Sequence, residues 1–473
     1  KPFYYSEAED GSGLMFGSEI KSFLAHPKFH KAVNKSALRP YLTLQYSATD
    51  ETFFEGVYKL PAAHCFTYDL ATHKMDVRRY WDCDFSEIDK PFEEYVDELD
   101  EVVHESVNAH RIADVKVGSF LSGGVDSSYI AACLMPDKTF SVGFDYNKFN
   151  ETNYAKELSD KLGVENYRKM ISADEFFGQL SNIQYHMDEP QSNLSSVPLW
   201  FLAEMASEQV TVVLSGEGAD EIFGGYAWYE DNASVAKYKR AVPYGVRRAL
   251  GTAAKHMPYF KGHNFLMKGA EMAEEYFVGQ ALVWPEREVD SVLRPEYDKG
   301  DGAFELAAPI YARVSDKSEL IRKQYLDMNM WLPGDILLKA DKMCMAHSLE
   351  LRVPFLDRRV MEFAEHIPDR YRVSENGNKL VLRHAANKSL PDEWATRPKV
   401  GFPVPMIYWL REEKWYNWVK EYFTAPWASE FFDCDVLMKL LDEHYAGHAQ
   451  NQRKIYTPLV FLIWYKRFFI DEK

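Results

Sequence analysis

A glycine and serine string, SGGVDSS at 122–128, constrains the fold of this chain more than any other feature. It follows an apolar run over 115–121 and precedes a run over 129–134 with helical character. A strand, a glycine turn and a helix in that order present backbone N–H groups and a positive helix end to an anion. Asp126 would repel the phosphate oxygens of such an anion unless a divalent cation lay between them. The string predicts a phosphate-binding turn, and a turn without a ligand is the alternative.

A second string of the same kind, SGEGADE at 215–221, directly follows an apolar run. Its small residues would again bring the backbone close to a ligand. Its three carboxylates, Glu217, Asp220 and Glu221, would repel one another unless a cation balances them. Acidic residues in the first turn of a helix, which the helix dipole favours, are the alternative interpretation.

Strand-like and helical segments alternate around these two strings. We predict three strands and two intervening helices: 115–121, 139–144 and 210–214, with helices over 153–162 and 199–208. This alternation predicts an α/β fold with a doubly wound parallel sheet, in which ligands bind beyond the carboxyl ends of the strands. From about 231 onward the chain is predicted to be mostly helical.

The first 84 residues are predicted to be β-rich, with strand-like runs at 14–19 and 64–70. This stretch is short for a domain of its own and suggests the second half of one. The polar stretch 84–91 reads as a linker, so we divide the chain into 1–90 and 91–473. The chain starts at Lys1 without a Met, and we expect it to begin inside a longer gene product.

Charge and cysteine usage exclude several classes of protein. The net charge of −17 disfavours nucleic acid as the main partner, because phosphate backbones require clustered Lys and Arg. Five cysteines without a CxxC pair argue against a disulfide framework and favour a reducing, cytoplasmic location. The apolar run at 459–465 is too short to span a bilayer, and the N-terminus has no signal-peptide pattern.

The 122–128 string resembles the pyrophosphate (PP) loop of the ATP pyrophosphatases. Together the two strings resemble the synthetase domain of class B, glutamine-dependent asparagine synthetases. Further strings extend this resemblance over most of the chain: WLPGDILLKADKM at 331–343, LELRVPFLD at 349–357, NKLVLR at 378–383 and RPKVGFPVP at 397–405.

The β-rich start resembles the end of that family's N-terminal nucleophile amidotransferase, or glutaminase, domain, through strings at 1–5, 17–21 and 60–64. In the family this domain works through an N-terminal cysteine, and Cys65 and Cys83 lie too far into the chain to serve. We therefore assign no glutamine hydrolysis to these residues. Either an upstream segment exists or the chain has been cut.

The resemblance implies an ATP-dependent, amide-forming ligase. The side-chain carboxylate of aspartate would be adenylated to β-aspartyl-AMP, and ammonia, normally released from glutamine, would give asparagine, AMP and pyrophosphate. ATP and Mg²⁺ are the implied substrate and cofactor, and a homodimer is possible in such a family. An apolar passage for ammonia between the two regions is expected.

The resemblance also implies residue roles. Ser122, Gly123, Gly124 and Ser127 would cradle the pyrophosphate; Asp126 and Asp220 would hold Mg²⁺; Leu121, Val142, Ser215 and Gly216 would line the adenosine; Glu217 would be the general base; and Lys399 would contact the phosphates. Structural alternatives are core packing for the apolar residues and a solvated lysine for Lys399.

A second group of residues is expected to be structural, with contact to the substrate as the alternative for its charged members. We expect His186 to be structural. We also expect one ionic network of six residues, because buried charges must be paired. Its members would be Lys339, Asp341, Lys342, Glu350, Arg352 and Asp357.

Other functions remain open on sequence alone. A lactam or peptide cyclase, or an amidotransferase acting on another carboxylate, would use the same adenylation. tRNA-thiolating enzymes share the SGGxDS loop, although the charge of −17 disfavours them. A catalytically inactive relative is disfavoured, because Asp126, Glu217, Asp220 and Lys399 are all present.

Overall fold

The structure is a computed structural model of the chain, and it describes residues 1–8, 13–146, 150–230, 233–257, 262–375, 377–398 and 404–471. The N-terminal region holds five of the twelve strands of this described part. They are β1 (Tyr4–Glu7), β2 (Leu14–Gly17), β3 (Tyr58–Lys59), β4 (His64–Asp69) and β5 (Lys74–Arg79). They form an antiparallel sheet of order β2-β1-β3 and a separate β4–β5 hairpin. The prediction of a β-rich start is confirmed.

A five-stranded parallel sheet forms the centre of the remaining chain. Its strands are β6 (Val117–Phe120), β7 (Lys138–Phe144), β8 (Glu165–Ile171), β9 (Val212–Leu214) and β10 (Glu350–Arg352). Their order is β10-β9-β6-β7-β8, so the chain runs outward from β6 and then returns to its other side. The switch in direction falls between β6 and β9, where ligands of such sheets bind. The predicted doubly wound sheet is confirmed, with two edge strands added.

Helices cover the sheet and make up most of the C-terminal half, as predicted. In the described part they are α1 (Leu38–Leu44), α2 (Phe92–His110), α3 (Val125–Leu134), α4 (Thr152–Leu162), α5 (Ala173–Met187), α6 (Ser196–Ser207), α7 (Ala219–Phe223), α8 (Ala233–Ala241), α9 (Tyr244–Lys255), α10 (His263–Ala270), α11 (Ala273–Tyr276), α12 (Glu286–Val289), α13 (Ala303–Ala312), α14 (Glu319–Asn329), α15 (Leu338–Ala346), α16 (Arg358–Ala364), α17 (Asp369–Arg372), α18 (Leu380–Ala386), α19 (Asp392–Ala395), α20 (Met406–Trp409), α21 (Glu413–Phe423), α22 (Cys434–Tyr445) and α23 (Gln452–Tyr465).

Two further short strands form a hairpin between α17 and α18: β11 (Val373–Ser374) and β12 (Gly377–Asn378). A π-helical turn at Leu332–Leu337 precedes α15. Among the described residues, none of the helices has the length and apolar character needed to cross a bilayer.

The N-terminal region and the α/β region share one hydrophobic core. Helix α23 is apolar along most of its length, and its Trp464 ring packs 5.4 Å from the rings of both Phe53 and Phe54. The polar stretch expected to be a linker has no helix or strand, yet Phe85 is buried and the Ser86 N–H donates to the carbonyl of Glu365 at 3.2 Å. The two regions are therefore packed together over a broad contact.

Candidate active site at the carboxyl edge of the sheet

The 122–128 turn joins β6 to α3 as predicted. Gly123 has φ +80°, a conformation that favours glycine, and a Cβ there would lie 2.9 Å from the Cβ of Tyr154. The Ser122 N–H donates to Ser127 Oγ at 3.1 Å, and the Gly124 N–H donates to Ser122 Oγ at 3.3 Å. The two serines thus shape the turn, and the N-terminus of α3 begins directly after Gly124.

The second predicted loop lies directly against the first. A Cβ added to Gly216 would fall 2.7 Å from the backbone N of Ser127 and 2.8 Å from the carbonyl carbon and the Cβ of Asp126. Only a residue without a side chain allows the two backbones to approach so closely. Strands β6 and β9 are neighbours in the sheet, which explains why their carboxyl ends meet.

Asp126 and Asp220 face the same point, and the ammonium of Lys379 lies there. Its Nζ donates to both carboxylate oxygens of Asp126 at 2.7 and 2.6 Å, and lies 2.6 Å from Oδ1 of Asp220. The Lys379 side chain is 1% exposed. Two carboxylates that converge on one cation are a donor set that suits Mg²⁺ beside phosphate oxygens, so the residues fit that ion. Within the described ranges, no group of three or more His, Cys, Asp or Glu side chains is placed to hold a metal.

Glu217 follows the contact between the loops and is half-buried, with its N–H donating to Ser215 Oγ at 3.4 Å. Burial, Asp341 and then Glu217 raise the pKa of the Cys344 thiol. Glu217 is thus electrostatically close to α15, which carries Cys344 and Asp341. Asp341, on the same helix as Cys344, pairs with Lys1 of the N-terminal region.

Glu221, the last carboxylate of the second string, is buried. Burial, followed by the negative charge of Asp220, raises its pKa to about 8. The Tyr226 hydroxyl donates to its Oε1 at 2.7 Å. The hydrogen bond from Tyr226 and the burial of Glu221 hold this carboxyl in the turn.

The residues predicted to line adenosine lie at the same sheet edge. The Leu121 N–H donates to the Phe140 carbonyl at 2.9 Å, and the Ser215 N–H donates to the Arg352 carbonyl at 3.0 Å. Leu121, Val142 and Ser215 are all buried. Their position suits either core packing or contact with the adenine ring of the nucleotide. Their role in lining adenosine stays a prediction. Lys399, the predicted phosphate contact, lies outside the described residues.

Two basic residues of the site were missed by sequence reasoning. Lys379 belongs to the NKLVLR string, and Arg397 begins the RPKVGFPVP string, so both were marked as family patterns without a role. Arg397 donates to the Gly123 carbonyl at 2.9 Å and to Glu151 Oε1 at 2.6 Å. Its guanidinium also stacks on the Tyr154 ring at 3.7 Å. Arg397 therefore fixes the first loop from its outer side.

The predicted single ionic network is wrong. Its members are split among separate contacts: Asp341 with Lys1, Lys342 with Asp188, Arg352 with Glu350, and Asp357 with Arg359 at the start of α16. The split follows from position, because these residues lie on α15, β10 and α16, which face different neighbours. His186 packs 5.4 Å from the Trp200 ring, and burial lowers its pKa, as suits a structural role.

A cavity of about 500 Å³ opens beside Lys379 and the two aspartates that it contacts. Its lining includes Gly225, Asn378, Leu380, Arg383 and His384. The cavity adjoins the residues on either side of Lys379, so it provides room next to the paired carboxylates.

A parallel α/β sheet with two glycine loops meeting at its switch point defines an ATP-pyrophosphatase-type enzyme. The asparagine synthase family model matches residues 98–466, and the glutamine amidotransferase domain model matches residues 1–81. The chain therefore belongs to the asparagine synthase family.

Relatives from Bacillus subtilis (strain 168) agree with this membership. The chain is 37% identical to "Asparagine synthetase [glutamine-hydrolyzing] 1" over 470 residues, which covers 98% of this chain and 73% of that protein. It is 28% identical to "Asparagine synthetase [glutamine-hydrolyzing] 3", covering 85% of this chain and 63% of that protein. A solved NMN synthetase from Francisella tularensis aligns with 56% of this chain and 98% of its own at 13% identity, and its TM-score of 0.21 carries no weight.

Proposed function

We propose that this protein forms asparagine from aspartate in two steps that consume ATP. The supporting observation is the contact between the two loops, which brings Asp126, Asp220 and Glu217 to one sheet edge. Membership of the asparagine synthase family and relatives named as glutamine-hydrolyzing asparagine synthetases supply the substrates: aspartate, ATP, and ammonia or glutamine.

The first step activates a poor acyl donor. A side-chain carboxylate oxygen of aspartate attacks the α-phosphorus of ATP, the bond from that phosphorus to the bridging oxygen breaks, and pyrophosphate leaves with the electron pair. The backbone N–H groups of the turn before α3 stabilise the pyrophosphate. Mg²⁺, held by Asp126 and Asp220, would supply positive charge to the same oxygens.

The second step transfers nitrogen. Ammonia attacks the acyl carbon of β-aspartyl-AMP, AMP leaves, and the nitrogen must lose a proton. Glu217 is the partly accessible carboxylate of the second loop, whereas Asp220 and Glu221 are buried. It accepts that proton as the general base.

The remaining parts of the proposal concern partners and boundaries. The match of residues 1–81 to an amidotransferase domain supports glutamine as the source of ammonia, and the division into 1–90 and 91–473. A homodimer is proposed on family membership, and a cytoplasmic location on the cysteine usage. The absence of nucleic-acid partners is proposed on the net charge of −17.

The test measures two products separately. The chain is incubated with ATP, Mg²⁺, ammonium and a panel of carboxylic acids, and pyrophosphate and amide are quantified. We expect pyrophosphate release to require aspartate. Dependence on another acid would redirect the function to a related amidotransferase or cyclase.

Glu217→Gln separates the two steps. This variant should keep most aspartate-dependent pyrophosphate release and lose about 10²- to 10⁴-fold in asparagine formation, because it removes the proton acceptor. Glu208→Gln at the exposed end of α6 is the matched control and should behave as the parent. Asparagine formation at the parental rate by Glu217→Gln would contradict the assignment of the base.

A further inference from the structure

The ammonium of Lys379 occupies the point at which the two proposed metal ligands converge. It lies within 2.7 Å of oxygens of both Asp126 and Asp220, and the side chain is almost entirely excluded from solvent. An ammonium at hydrogen-bond distance from both carboxylates neutralises charge that would otherwise be buried without compensation. A divalent cation at the same point would be repelled by it at close range.

The conformation of the local backbone positions the Lys379 side chain at the two aspartates. Lys379 follows the β11–β12 hairpin and has φ 52° and ψ 37°, a left-handed conformation that costs free energy for a residue with a side chain. The Asn378 amide donates to the Gly225 carbonyl at 2.9 Å and ties the hairpin to the turn after α7. A Cβ on Gly225 would fall 2.0 Å from both Lys379 Cε and Asp220 Oδ1, so glycine leaves the space that the lysine fills.

Two other charged groups described near the pair, Arg383 and Glu221, have partners of their own. Arg383 lies within electrostatic range of both aspartates, but its guanidinium donates to the backbone carbonyls of Asn378, Ala395 and Arg397. The Glu221 carboxyl is buried and accepts a hydrogen bond from the Tyr226 hydroxyl. In the part of the chain that the structure describes, Lys379 is therefore the cation at hydrogen-bond distance from both aspartates.

We propose that Lys379 is an internal counter-cation that holds the metal position until nucleotide arrives, so that the divalent ion enters with ATP and not before it. This inference rests on the proposed function, since it assumes that Asp126 and Asp220 hold the ion. Without nucleotide, moving the ammonium would break its pairing with both aspartates. Bound ATP supplies polyphosphate oxygens beside the 122–128 turn, which give the ammonium a new partner and release the two carboxylates.

The test titrates Mn²⁺ alone, a substitute that prefers the same oxygen ligands, into nucleotide-free protein and follows free Mn²⁺ by electron paramagnetic resonance. The parent should bind Mn²⁺ weakly at this site. Lys379→Met should bind it at least about tenfold more tightly, because the competing charge is gone. Lys379→Arg keeps the positive charge and should bind Mn²⁺ as weakly as the parent.

Lys388→Met is the matched control, because Lys388 lies just beyond α18 and pairs with Asp97 on the surface. It should leave Mn²⁺ affinity unchanged. If Lys379→Met loses its fold without metal, Mg²⁺ alone should restore its melting transition. Parental Mn²⁺ affinity in Lys379→Met, or a variant that stays unfolded at high Mg²⁺, overturns the inference.

These outcomes are separate from the fate of the proposed function. A parent that releases pyrophosphate with aspartate, combined with unchanged Mn²⁺ affinity in Lys379→Met, would retain the function and remove the counter-cation role. A parent that takes up no ATP would remove the function, and the Mn²⁺ titration would still report on Lys379.

Discussion

Replacing Gly216 by alanine should separate the two loops of the site. The added Cβ would lie 2.7 Å from the Ser127 nitrogen, and ordinary van der Waals contact begins at 3.4 Å. The backbones must therefore move apart by about 0.7 Å. The obstructing atoms belong mainly to the backbone of Asp126 and Ser127 and cannot rotate away. Overpacking of this kind typically costs about 1–3 kcal/mol.

The loss of activity should exceed the loss of stability. The displacement moves Asp126 relative to Glu217 and the rest of the second loop, and a misplacement of roughly 1 Å can cost about 10²-fold in rate. We expect aspartate-dependent pyrophosphate release by Gly216→Ala to fall about 10- to 100-fold. The free energy of unfolding, measured with urea, should fall by about 1–3 kcal/mol.

Gly178→Ala is the matched control for this substitution. Gly178 is an exposed residue inside α5, and a Cβ there meets nothing within 4 Å. Alanine is the better helix former, so the variant should gain about 0.5–1 kcal/mol and keep parental activity. Parental rate and stability in Gly216→Ala would refute the close contact between the loops.

Three further predictions address charge. Burial raises the pKa of Asp327, on α14, to about 7 from 3.8. Its contribution to the free energy of unfolding is therefore full below about pH 4 and is lost as the pH rises toward 7. Over that range the free energy of unfolding in urea should fall by about 1 kcal/mol per pH unit, and Asp327→Asn should remove this fall. Lys342→Met leaves the buried Asp188 carboxylate with Lys21 as its remaining cation and should cost about 1.5–3 kcal/mol in urea unfolding. Adding Asp188→Asn should recover part of that cost, and an equal cost in the double variant would contradict the pairing. Asp126→Asn should raise the Mg²⁺ concentration needed for pyrophosphate release, and an unchanged requirement in a Mg²⁺ titration would contradict its role as a ligand.

The central strands and both loops were predictable because their signals are local. Strands β6, β7 and β9 are apolar runs, and the glycines that follow β6 and β9 are adjacent in sequence to the strands that position them. Strand β8 was missed because its sequence, ENYRKMI, is largely polar, as an edge strand partly exposed to solvent allows. Strand β10 has three residues, which are too few for an alternation of polar and apolar side chains to be recognised.

The pairing of charges in the site was not predictable, because the partners are distant in sequence. Lys379 lies 253 residues from Asp126, and Arg397 lies 274 residues from Gly123. Sequence patterns marked both basic residues as members of family strings, but no spacing rule connects such remote positions. The predicted single ionic network fails for two different reasons. Asp341 and Lys342 pair with Lys1 and Asp188, which are far away in sequence. Arg352 and Asp357 pair instead with residues two positions away, Glu350 and Arg359.

Helix α15 is the element through which the amidotransferase-like region reaches the proposed base. Asp341 on this helix pairs with Lys1, and the Lys342 ammonium donates to the Ser18 carbonyl at 3.1 Å and pairs with Asp188. One turn further on, Cys344 is close enough to Glu217 for the carboxylate to raise its pKa. The passage for ammonia expected from the sequence would have to run between the amidotransferase-like region and the α/β region. Substitutions that loosen the contacts of α15 should lower amide formation from glutamine more than amide formation from added ammonium, because added ammonium bypasses the passage.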